Sequence, residues 1–367
     1  MKIAILGGGP AGLYFAILRK KAHPQDDIVV YERNAPDVTF GWGVVFSDET
    51  LAYLEENDPE TALAIQRAFV HWDAIDVHRR GERVRSGGHG FSGVARKELL
   101  RILQERAAAL GVRLAFRTEV GDVAEVMASS DLVVAADGVK SNSRTRFASV
   151  FQPSFDLRKC RYIWLGTPRP FDAFQFLFEE NEHGVFQAHA YPFAEGQSTF
   201  IVETDEASFA AAGLGGMSVA DGVAYCERLF ARHLQGAPLL SNASQWIQFP
   251  TLRCGRWSHE NLVLLGDACH TAHFSIGSGT KLAMEDAIAL TKALGDTRNV
   301  RGALAAYEEE RRPMVERFQK AAQDSLVFFE NIKRYAGQSN LAFAMNLLTR
   351  SKRITYENLR LRDEAFV

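Results

Sequence analysis

The sequence predicts a mixed α/β fold that combines a parallel sheet, a second, antiparallel sheet and a helical C-terminal region. Three observations lead to this prediction. Residues 2–21, KIAILGGGPAGLYFAILRKK, are typical of a buried strand, a glycine turn and a helix. Several segments between residues 155 and 250 alternate apolar and polar residues, as half-buried strands do, and the residues from Val300 onward repeat with a helical period.

Composition narrows the class of protein. The chain has 367 residues, of which 47% are hydrophobic and 24% charged, so it is long enough to form two hydrophobic cores. Its net charge of −3 gives no reason to expect that it binds nucleic acid. Cys160, Cys226, Cys254 and Cys269 are widely spaced, so we expect no metal site and no disulfide framework. No segment resembles a signal peptide or a membrane helix. We therefore expect a cytoplasmic monomer or homodimer without a membrane partner.

The first strand and its glycines predict a Rossmann-like dinucleotide cradle. Residues 3–6 form a buried strand, and Gly7, Gly9 and Gly12 allow the backbone to turn tightly beside a pyrophosphate. The next helix then directs its positive N-terminal end at that phosphate. Glu32 ends the following strand, where it can accept a hydrogen bond from a ribose hydroxyl.

Three further features favour FAD over NAD as the dinucleotide. After Glu32 the chain becomes irregular, and the next helix that we predict begins only near Arg96. Residues 131–144, DLVVAADGVKSNSR, and residues 261–287, NLVLLGDACHTAHFSIGSGTKLAMEDA, each place an Asp-Gly or Gly-Asp pair after an apolar strand. Ligands of open α/β sheets collect at such carboxyl ends.

These three blocks resemble the single-component flavin-dependent aromatic hydroxylases of the p-hydroxybenzoate hydroxylase type, over residues 1 to about 290. Residues 162–167, 186–193, 198–203 and 273–287 look most like two groups within them. One group contains the salicylyl-CoA and 2-aminobenzoyl-CoA hydroxylases. The other is the tryptophan-derivative hydroxylase of violacein synthesis.

The resemblance implies an FAD-binding domain, an antiparallel-sheet substrate domain and C-terminal helices. We assign the FAD-binding domain to residues 1–73, 94–154 and 251–295, the substrate domain to residues 74–93 and 155–250, and the helical region to residues 296–367. Within them, residues 74–93 are expected to form a hairpin. Residues 218–234 show a helical period, and Pro313 marks a kink or a helix boundary.

The resemblance also assigns roles in binding FAD. Asp267 would bind the ribityl chain, and the backbone of Gly279, Thr280 and Lys281 would donate to the pyrimidine edge of the flavin. Arg33 and Arg96 would approach the pyrophosphate and ribityl regions. The complete set of predicted cofactor residues is Gly7, Gly9, Pro10, Ala11, Gly12, Glu32, Arg33, Val45, Arg96, Val120, Asp137, Gly138, Gly266, Asp267, Gly277, Gly279, Thr280 and Lys281.

The chemistry implied is hydroxylation by a flavin C4a-hydroperoxide, with O2 as co-substrate and NADH or NADPH as a transient reductant. The sequence has no second glycine cradle for the nicotinamide cofactor, as the resemblance leads one to expect. It departs from the family at Phe274, where proline is usual, and at Lys281, where asparagine is usual. Both departures agree with the CoA-ester and violacein groups.

A phenolic substrate would need a base, and His189 is the candidate. It lies on a predicted strand with Tyr191, and strand alternation puts both on one face. A structural histidine is the alternative, and His270 and His273 are further candidates. We expect Phe274 to form a wall beside the flavin. The candidate substrate-contacting residues are Trp42, Tyr191 and Phe193.

The preferred substrate is salicylyl-CoA, hydroxylated to 2,5-dihydroxybenzoyl-CoA (gentisyl-CoA). The alternatives are 2-aminobenzoyl-CoA or an indole or tryptophan derivative, and, in another class, a flavin-binding module that needs a partner domain. A CoA thioester needs cations to bind its phosphates, and seven arginine or lysine side chains lie near the predicted sheet. These side chains can equally form a solvated charged face. They are Arg79, Arg80, Arg83, Arg85, Arg158, Lys159 and Arg161.

Overall fold

The computed structural model describes residues 1–297 and 299–367. Its strands are, in chain order, β1 (Lys2–Leu6), β2 (Asp27–Glu32), β3 (Gly43–Ser47), β4 (Val70–Trp72), β5 (Ile75–Arg79), β6 (Glu82–Ser86), β7 (Phe91–Ala95), β8 (Arg113–Phe116), β9 (Leu132–Ala135), β10 (Pro153–Thr167), β11 (Phe174–Asn181), β12 (Gly184–Ala194), β13 (Gln197–Thr204), β14 (Leu240–Ser241), β15 (Ile247–Cys254), β16 (Ser258–His259) and β17 (Leu262–Leu264).

The helices follow the same numbering. They are α1 (Pro10–Ala22), α2 (Asp48–Asn57), α3 (Pro59–Gln66), α4 (Arg96–Ala109), α5 (Val123–Ala128), α6 (Asn142–Arg146), α7 (Ala148–Phe151), α8 (Glu206–Ala211), α9 (Val219–Leu229), α10 (Ala231–Leu234), α11 (Gly279–Leu294), α12 (Val300–Glu330), α13 (Asn340–Thr349) and α14 (Tyr356–Arg362). Short 3-10 turns lie at Leu214–Gly216, Gly266–Ala268, Phe274–Ile276 and Ile332–Tyr335.

The first sheet has the strand order β16-β17-β9-β1-β2-β8. All its pairs are parallel except β16 with β17. The central strands are apolar throughout, as the KIAIL of β1 and the LVVA of β9 show, because helices cover both faces of such a sheet. The chain passes from β1 to β2 on one side and later returns to β9 on the other. This reversal opens a crevice at the carboxyl ends of β1 and β9, where ligands bind in open α/β sheets.

The second sheet has the order β14-β10-β13-β12-β11-β5-β6, with β15 also pairing with β10. It is antiparallel apart from β5, which pairs in parallel with β11. The hairpin expected in residues 74–93 is confirmed, since β5 and β6 form it. Strand β15 runs across the boundary that we predicted between residues 250 and 251. A third sheet, β3-β7-β4, contacts β12 of the second sheet and helix α4.

One expectation about helices is wrong. Residues between Glu32 and Arg96 contain α2 and α3, although the sequence suggested no helix there. Both have start signals, because α2 carries acids in its first turn and α3 has a proline at its start. Of the two alternatives at Pro313, a kink or a helix boundary, the structure excludes the boundary, since α12 continues through this residue from Val300 to Glu330.

The C-terminal helices close the second sheet on one face. The end of α12 and helix α13 pack against β5 and β11 in a buried apolar cluster that includes Phe176, Phe329, Phe343 and Leu347. Helices α8 to α10 cover the opposite face through a separate cluster around Phe200 and Phe230. Within residues 1–297 and 299–367, no helix combines the length and apolar character needed to cross a bilayer.

Helices α11 and α12 are joined by a buried ion-pair network. Arg311, only 5% exposed, donates from Nε to Asp286 at 2.6 Å and from Nη2 to Glu285 at 2.7 Å. Removing one partner of such a network leaves buried charges without compensation. We therefore predict that Arg311→Ala lowers the free energy of unfolding by about 3–5 kcal/mol, measured by urea denaturation.

Arg317→Ala is the matched control for this prediction. Arg317 lies on the exposed face of the same helix and contacts no carboxylate among the described residues. Its replacement is expected to change the free energy of unfolding by less than about 0.5 kcal/mol. Equal destabilisation by the two variants would contradict the role given to the network.

Candidate flavin and substrate site

The glycine turn after β1 leaves space for a dinucleotide. Gly7 has a φ of +113°, and a Cβ there would lie 2.2 Å from the carbonyl oxygen of Ala136, while a Cβ at Gly12 would lie 2.2 Å from that of Gly7. By contrast, no atom lies within 4 Å of the Cβ position of Gly9. Helix α1 begins at Pro10 without a side-chain cap or an acid in its first turn. Its free N–H groups suit a pyrophosphate.

The carboxylate of Glu32 is held beside this turn. Its Oε2 accepts a hydrogen bond from the backbone N–H of Gly8 at 2.8 Å. The backbone N–H of Thr118 donates to the Glu32 carbonyl at 2.9 Å, which brings the segment leading to the half-buried Val120 alongside. Arg33 follows β2 and is exposed. These positions fit the adenosine end of FAD.

Asp137 and Gly138 follow β9 at the crevice. One carboxylate oxygen of Asp137 accepts from the N–H and hydroxyl of Ser143 at 3.1 and 3.0 Å, and the other is buried without a partner among the described residues. The Cβ position of Gly138 faces open space. Arg144, which was not predicted as a site residue, donates to the carbonyl of Ala268 at 2.8 Å and connects this loop to the turn after β17. The motif DGVKSNSR contained the residue, but its partner is distant in sequence.

Asp267 and Arg96 line one large cavity. Asp267 is exposed to the cavity, and the protein that surrounds it raises its pKa by desolvation. Desolvation lowers the pKa of Arg96, while the charge of Asp267 opposes that change. The two form no ion pair, and the Nε of Arg96 has no partner in the described chain. Gly266, with a φ of +60°, lets the turn approach Ala11 and Ala283, since a Cβ there would lie 3.2 Å from each. The Asp267 carboxylate and the Arg96 guanidinium could therefore both bind a ribityl chain that lies between them.

The start of α11 forms another wall of the cavity. Gly277, Gly279, Thr280 and Lys281 line it, and Val45 stands opposite Gly277, whose Cβ position lies 4.0 Å from the valine side chain. Helix α11 has no side-chain cap and no acid in its first turn. The ammonium of Lys281 pairs with Glu285 at 2.6 Å, so its backbone rather than its charge is directed to a ligand. This arrangement suits the electron-rich edge of a flavin.

The whole cavity has a volume of about 970 Å³, and its remaining walls are aromatic. Strand pairing puts His189 and Tyr191 of β12 on one face, as the alternation predicted, together with Ile201 of β13. All three line the cavity. The aromatic wall residues are Phe91, Tyr162, Trp164, Phe174, Phe176, Tyr191, Phe249 and Phe274. Such a surface accepts a planar ring and excludes water.

Two predicted substrate residues lie elsewhere. Trp42 and Phe193 are absent from the cavity lining within the described chain and contact each other behind it, with ring centroids 6.3 Å apart. Trp42 lies against Gly166, and Phe193 against Gly43, where a Cβ would come within 2.4 Å of it. Both therefore support the wall rather than form it. Tyr191 does line the cavity, and its hydroxyl donates to the carbonyl of Gly43 at 3.0 Å.

His189 lies on the cavity floor among aromatic rings. It is 1% exposed and meets Phe176, Phe274 and Phe329 edge to face. Its Nε2 lies 3.4 Å from the Oε2 of Glu203, while Nδ1 has no partner in the described residues. Burial is the main cause that lowers the pKa of His189, and Glu203 opposes it. The imidazole is therefore neutral at neutral pH.

Glu203 is a site residue that our sequence analysis missed. It is fully buried, and its pKa is held far below the usual range because His189 and His273 outweigh the effect of burial. The backbone N–H of Ser275 donates to Nδ1 of His273 at 3.3 Å, so the proton of a neutral His273 is on Nε2, 3.5 Å from Glu203. The same carboxylate favours the Nε2–H tautomer of His189. That tautomer leaves the lone pair of His189 Nδ1 free.

Arg350 completes this polar cluster from the C-terminal region. Its guanidinium lies over Phe176 and Phe329, at 4.9 and 5.0 Å from the ring centroids, and donates to the hydroxyl of Ser325 at 2.8 Å. Burial lowers the pKa of Arg350 to about 9, and Glu203 counters that change. No motif in the sequence indicates the role of Arg350, because this residue lies far along the chain from the other motifs.

His270, a further candidate base, has a structural position. It is 4% exposed and pairs through Nε2 with Asp286 at 2.7 Å. It does not line the cavity among the described residues. Among these residues there is also no group of three or more His, Cys, Asp or Glu side chains placed to hold a metal ion.

A family model described as an FAD binding domain matches residues 227–322. Taken with the full-length similarities below, this chain belongs to the family of FAD-dependent aromatic hydroxylases. It is therefore a flavin-dependent monooxygenase, with FAD as its cofactor. NAD(P)H and O2 are the usual co-substrates of this class.

Particular relatives are closely similar. The chain is 48% identical to salicyloyl-CoA 5-hydroxylase of Streptomyces sp. over 100% of this chain and 72% of that protein. It is 36% identical to a 3-hydroxy-4-methyl-anthranilyl-[aryl-carrier protein] 5-monooxygenase of Streptosporangium sibiricum, covering 98% and 97% of the two chains. It is 35% identical to protodeoxyviolaceinate monooxygenase of Chromobacterium violaceum, covering 96% and 95%.

The fold is also that of solved oxygenases. A crystal structure of 2-methyl-3-hydroxypyridine-5-carboxylic acid oxygenase superimposes with a TM-score of 0.74 and 20% identity, covering 98% of each chain. This likeness confirms the predicted fold class. The roles of individual residues in binding FAD and substrate remain predictions.

We predict that Asp267→Ala weakens FAD binding, because it removes a charged acceptor from the gap beside Arg96. Loss of one hydrogen bond to a charged group corresponds to about a tenfold or larger rise in the Kd of FAD. Titration of the apoprotein, followed by flavin fluorescence, measures this Kd. Asp296→Ala, which alters a fully exposed carboxylate, is the control. An unchanged Kd in Asp267→Ala would exclude the ribityl contact.

Proposed function

We propose that this monooxygenase hydroxylates an aryl-CoA thioester and that its substrate is salicylyl-CoA, oxidised at C5 to 2,5-dihydroxybenzoyl-CoA. The observation that carries the proposal is the cavity floor, where a neutral, buried His189 faces an aromatic-walled space next to the flavin-binding turn. The 48% identity to a salicyloyl-CoA 5-hydroxylase supports the choice of thioester. Four buried, free cysteines suit the reducing cytoplasm in which we place the enzyme.

When bound, FAD supplies the activation of O2, of which one atom enters the ring and the other leaves as water, with two electrons from NAD(P)H. The residues of this chain prepare the substrate. Phe274, Tyr162 and Phe249 hold the ring in a dry space. His189 accepts the phenolic proton at Nδ1, which raises electron density at the position para to the oxygen. That position is C5 of a 2-hydroxybenzoyl group.

Glu203 acts on this proton transfer through His189. As His189 becomes an imidazolium ion, the carboxylate 3.4 Å from its Nε2 stabilises the new charge. Arg350 and His273 are the other ionisable groups close to His189, and both oppose its protonation. These groups therefore keep His189 neutral before the reaction, so that it can act as a base. Glu203 then stabilises the imidazolium form of His189 that proton transfer produces.

The substrate proposal predicts that the FAD-loaded protein oxidises NADH or NADPH faster with salicylyl-CoA present and forms an equal amount of hydroxylated product. Absorbance at the nicotinamide band and mass spectrometry measure the two quantities. Free salicylate, 2-aminobenzoyl-CoA and indolic amines are the comparison substrates. Hydroxylation of free salicylate alone would contradict the thioester, and preference for 2-aminobenzoyl-CoA or an indolic amine would contradict salicylyl-CoA.

The proposed base predicts a specific pH dependence. His189→Ala should lower kcat about 100-fold at neutral pH and less above the pKa of the substrate phenol, where the phenol ionises by itself. In the native enzyme, activity should fall as the pH drops through the pKa of His189, which lies below its usual value. Glu203→Gln removes the group that raises this pKa, so the acid limb should move to lower pH and kcat should fall.

His183→Ala is the matched control, since this histidine lies in the turn between β11 and β12, outside the cavity lining. Its kcat and pH profile should equal those of the native enzyme. A loss in His189→Ala that is the same at every pH would indicate a packing role for this side chain instead of a proton-transfer role.

A further inference from the structure

One rim of the cavity brings together three distant segments. The start of α2, the loop Gly88–Gly90 and the C-terminal residues from Ser351 to Arg362 all contribute lining residues. A Cβ at Gly90 would lie 2.3 Å from a carboxylate oxygen of Asp48, and a Cβ at Gly88 would lie 2.6 Å from the carbonyl oxygen of Arg362. We call this set the rim. Because its loop has glycines on both sides of the buried His89, no side chain from those two positions narrows the opening.

Two guanidinium groups line the rim. Arg353 and Arg362 are exposed, and neither has a carboxylate within 4 Å in residues 1–297 and 299–367. Arg353 is held over the ring of Phe318, 4.4 Å from its centroid. A guanidinium in this state can bind a phosphate through two parallel hydrogen bonds.

The rim also contains three acids, of which Asp73 accepts from the backbone N–H of Gly88 at 2.6 Å. Asp48 and Glu49 lie in the first turn of α2, whose N-terminal end stabilises negative charge. The charge of Glu49 acts on Arg353 without forming an ion pair within 4 Å. These contacts leave the two arginines as the cationic groups of the rim that have room for an anionic ligand.

Three of the cations that the sequence suggested for the same purpose are engaged elsewhere. Arg79 donates to the carbonyls of Ala336 and Gln338, Arg85 pairs with Asp76 and Asp172, and Arg158 pairs with Glu330. None of the seven lines the cavity in the described chain. The structure therefore favours the rim over these seven side chains as the place where the phosphates of a thioester bind.

We propose that the rim binds the phosphorylated end of a pantetheine arm, with Arg353 and Arg362 as its phosphate ligands. The inference rests on the thioester substrate proposed above. An aryl thioester whose ring lies on the aromatic floor must leave the cavity through an opening, and its phosphates then meet the groups there. Coenzyme A and the phosphopantetheine of a carrier protein share this chemistry, so the test includes both.

The test compares substrates with and without phosphates. Salicylyl-CoA carries them, whereas the N-acetylcysteamine thioester of salicylate has the same ring and thioester without them. In Arg353→Ala/Arg362→Ala, the KM for salicylyl-CoA should rise about tenfold or more while its kcat is unchanged, since charged hydrogen bonds to the phosphates are lost. The KM for the short thioester and the KM for NADH should stay the same.

Arg360→Ala is the matched control, because this exposed arginine lies on helix α14 with Arg362 and pairs with Glu357 at 3.1 Å. It should leave every constant unchanged. Flavin content and circular dichroism verify that each variant is folded. A similar rise in KM for both thioesters, or a rise for NADH alone, would overturn the assignment. The native KM for salicylyl-CoA should also increase with ionic strength more steeply than that of the double variant.

A binding measurement separates this inference from the proposed function. Isothermal titration of the FAD-loaded protein with free coenzyme A should give a Kd that rises about tenfold or more in the double variant. If this holds but no thioester is hydroxylated, the substrate proposal fails and the rim assignment stands. If salicylyl-CoA is hydroxylated but its KM and the Kd of coenzyme A do not change in the double variant, the rim assignment fails. The KM values for the salicyl thioesters of 4′-phosphopantetheine, coenzyme A and a carrier protein are then compared. The thioester with the lowest KM identifies the molecule that carries the pantetheine arm.

Discussion

The flavin side of the structure depends on one buried carboxylate, that of Asp286. It accepts hydrogen bonds from the backbone N–H of Gly266 at 3.1 Å, from His270 at 2.7 Å and from Arg311 at 2.6 Å. Burial alone would favour its neutral form, but His270 and Arg311 keep the pKa of Asp286 below its usual value. One side chain thus fixes the turn that carries Asp267, the start of α11 and the long helix α12. The polar groups offered to FAD are held in place before the cofactor arrives.

The second sheet supplies a different kind of organisation. Adjacent strands bring His189 and Glu203 to one face, because His189 is opposite Ile201 and Gln187 is opposite Glu203. The amide of Gln187 donates to Glu203 at 3.0 Å and orients it. Aromatic rings enclose this charge, so its effect on His189 is stronger than it would be in water. The sheet therefore serves both as a wall of the cavity and as the support of the proposed base.

The parts of the fold that follow local sequence rules were predictable. The glycine turn, Glu32 and the Asp-Gly and Gly-Asp pairs identify the parallel sheet, because each places a particular backbone shape after an apolar strand. Strand alternation placed His189 and Tyr191 on one face. Helices α2 and α3 were missed because they are short, with 10 and 8 residues, although their start signals are present.

The site residues that could not be predicted owe their roles to contacts between distant segments. Glu203 ends an ordinary strand sequence, STFIVE, and only strand register shows that it lies between two histidines. Arg350 and Arg353 are far along the chain from every motif, and only the packing of the C-terminal helices brings them to the cavity. Trp42 and Phe193 were expected in the wall because they are aromatic, but the close approach of Gly166 and Gly43 admits them behind it.

The central claim is that the flavin ring and the aromatic substrate share the cavity between the start of α11 and the His189 floor. A crystal structure of the protein with FAD and salicylyl-CoA tests it most directly. The account predicts the pyrimidine edge of the flavin within hydrogen-bond distance of the backbone of Gly279 and Thr280, Asp267 on the ribityl chain, and the phenolic oxygen at Nδ1 of His189. A flavin ring bound outside this cavity, or a substrate ring away from His189, would contradict it.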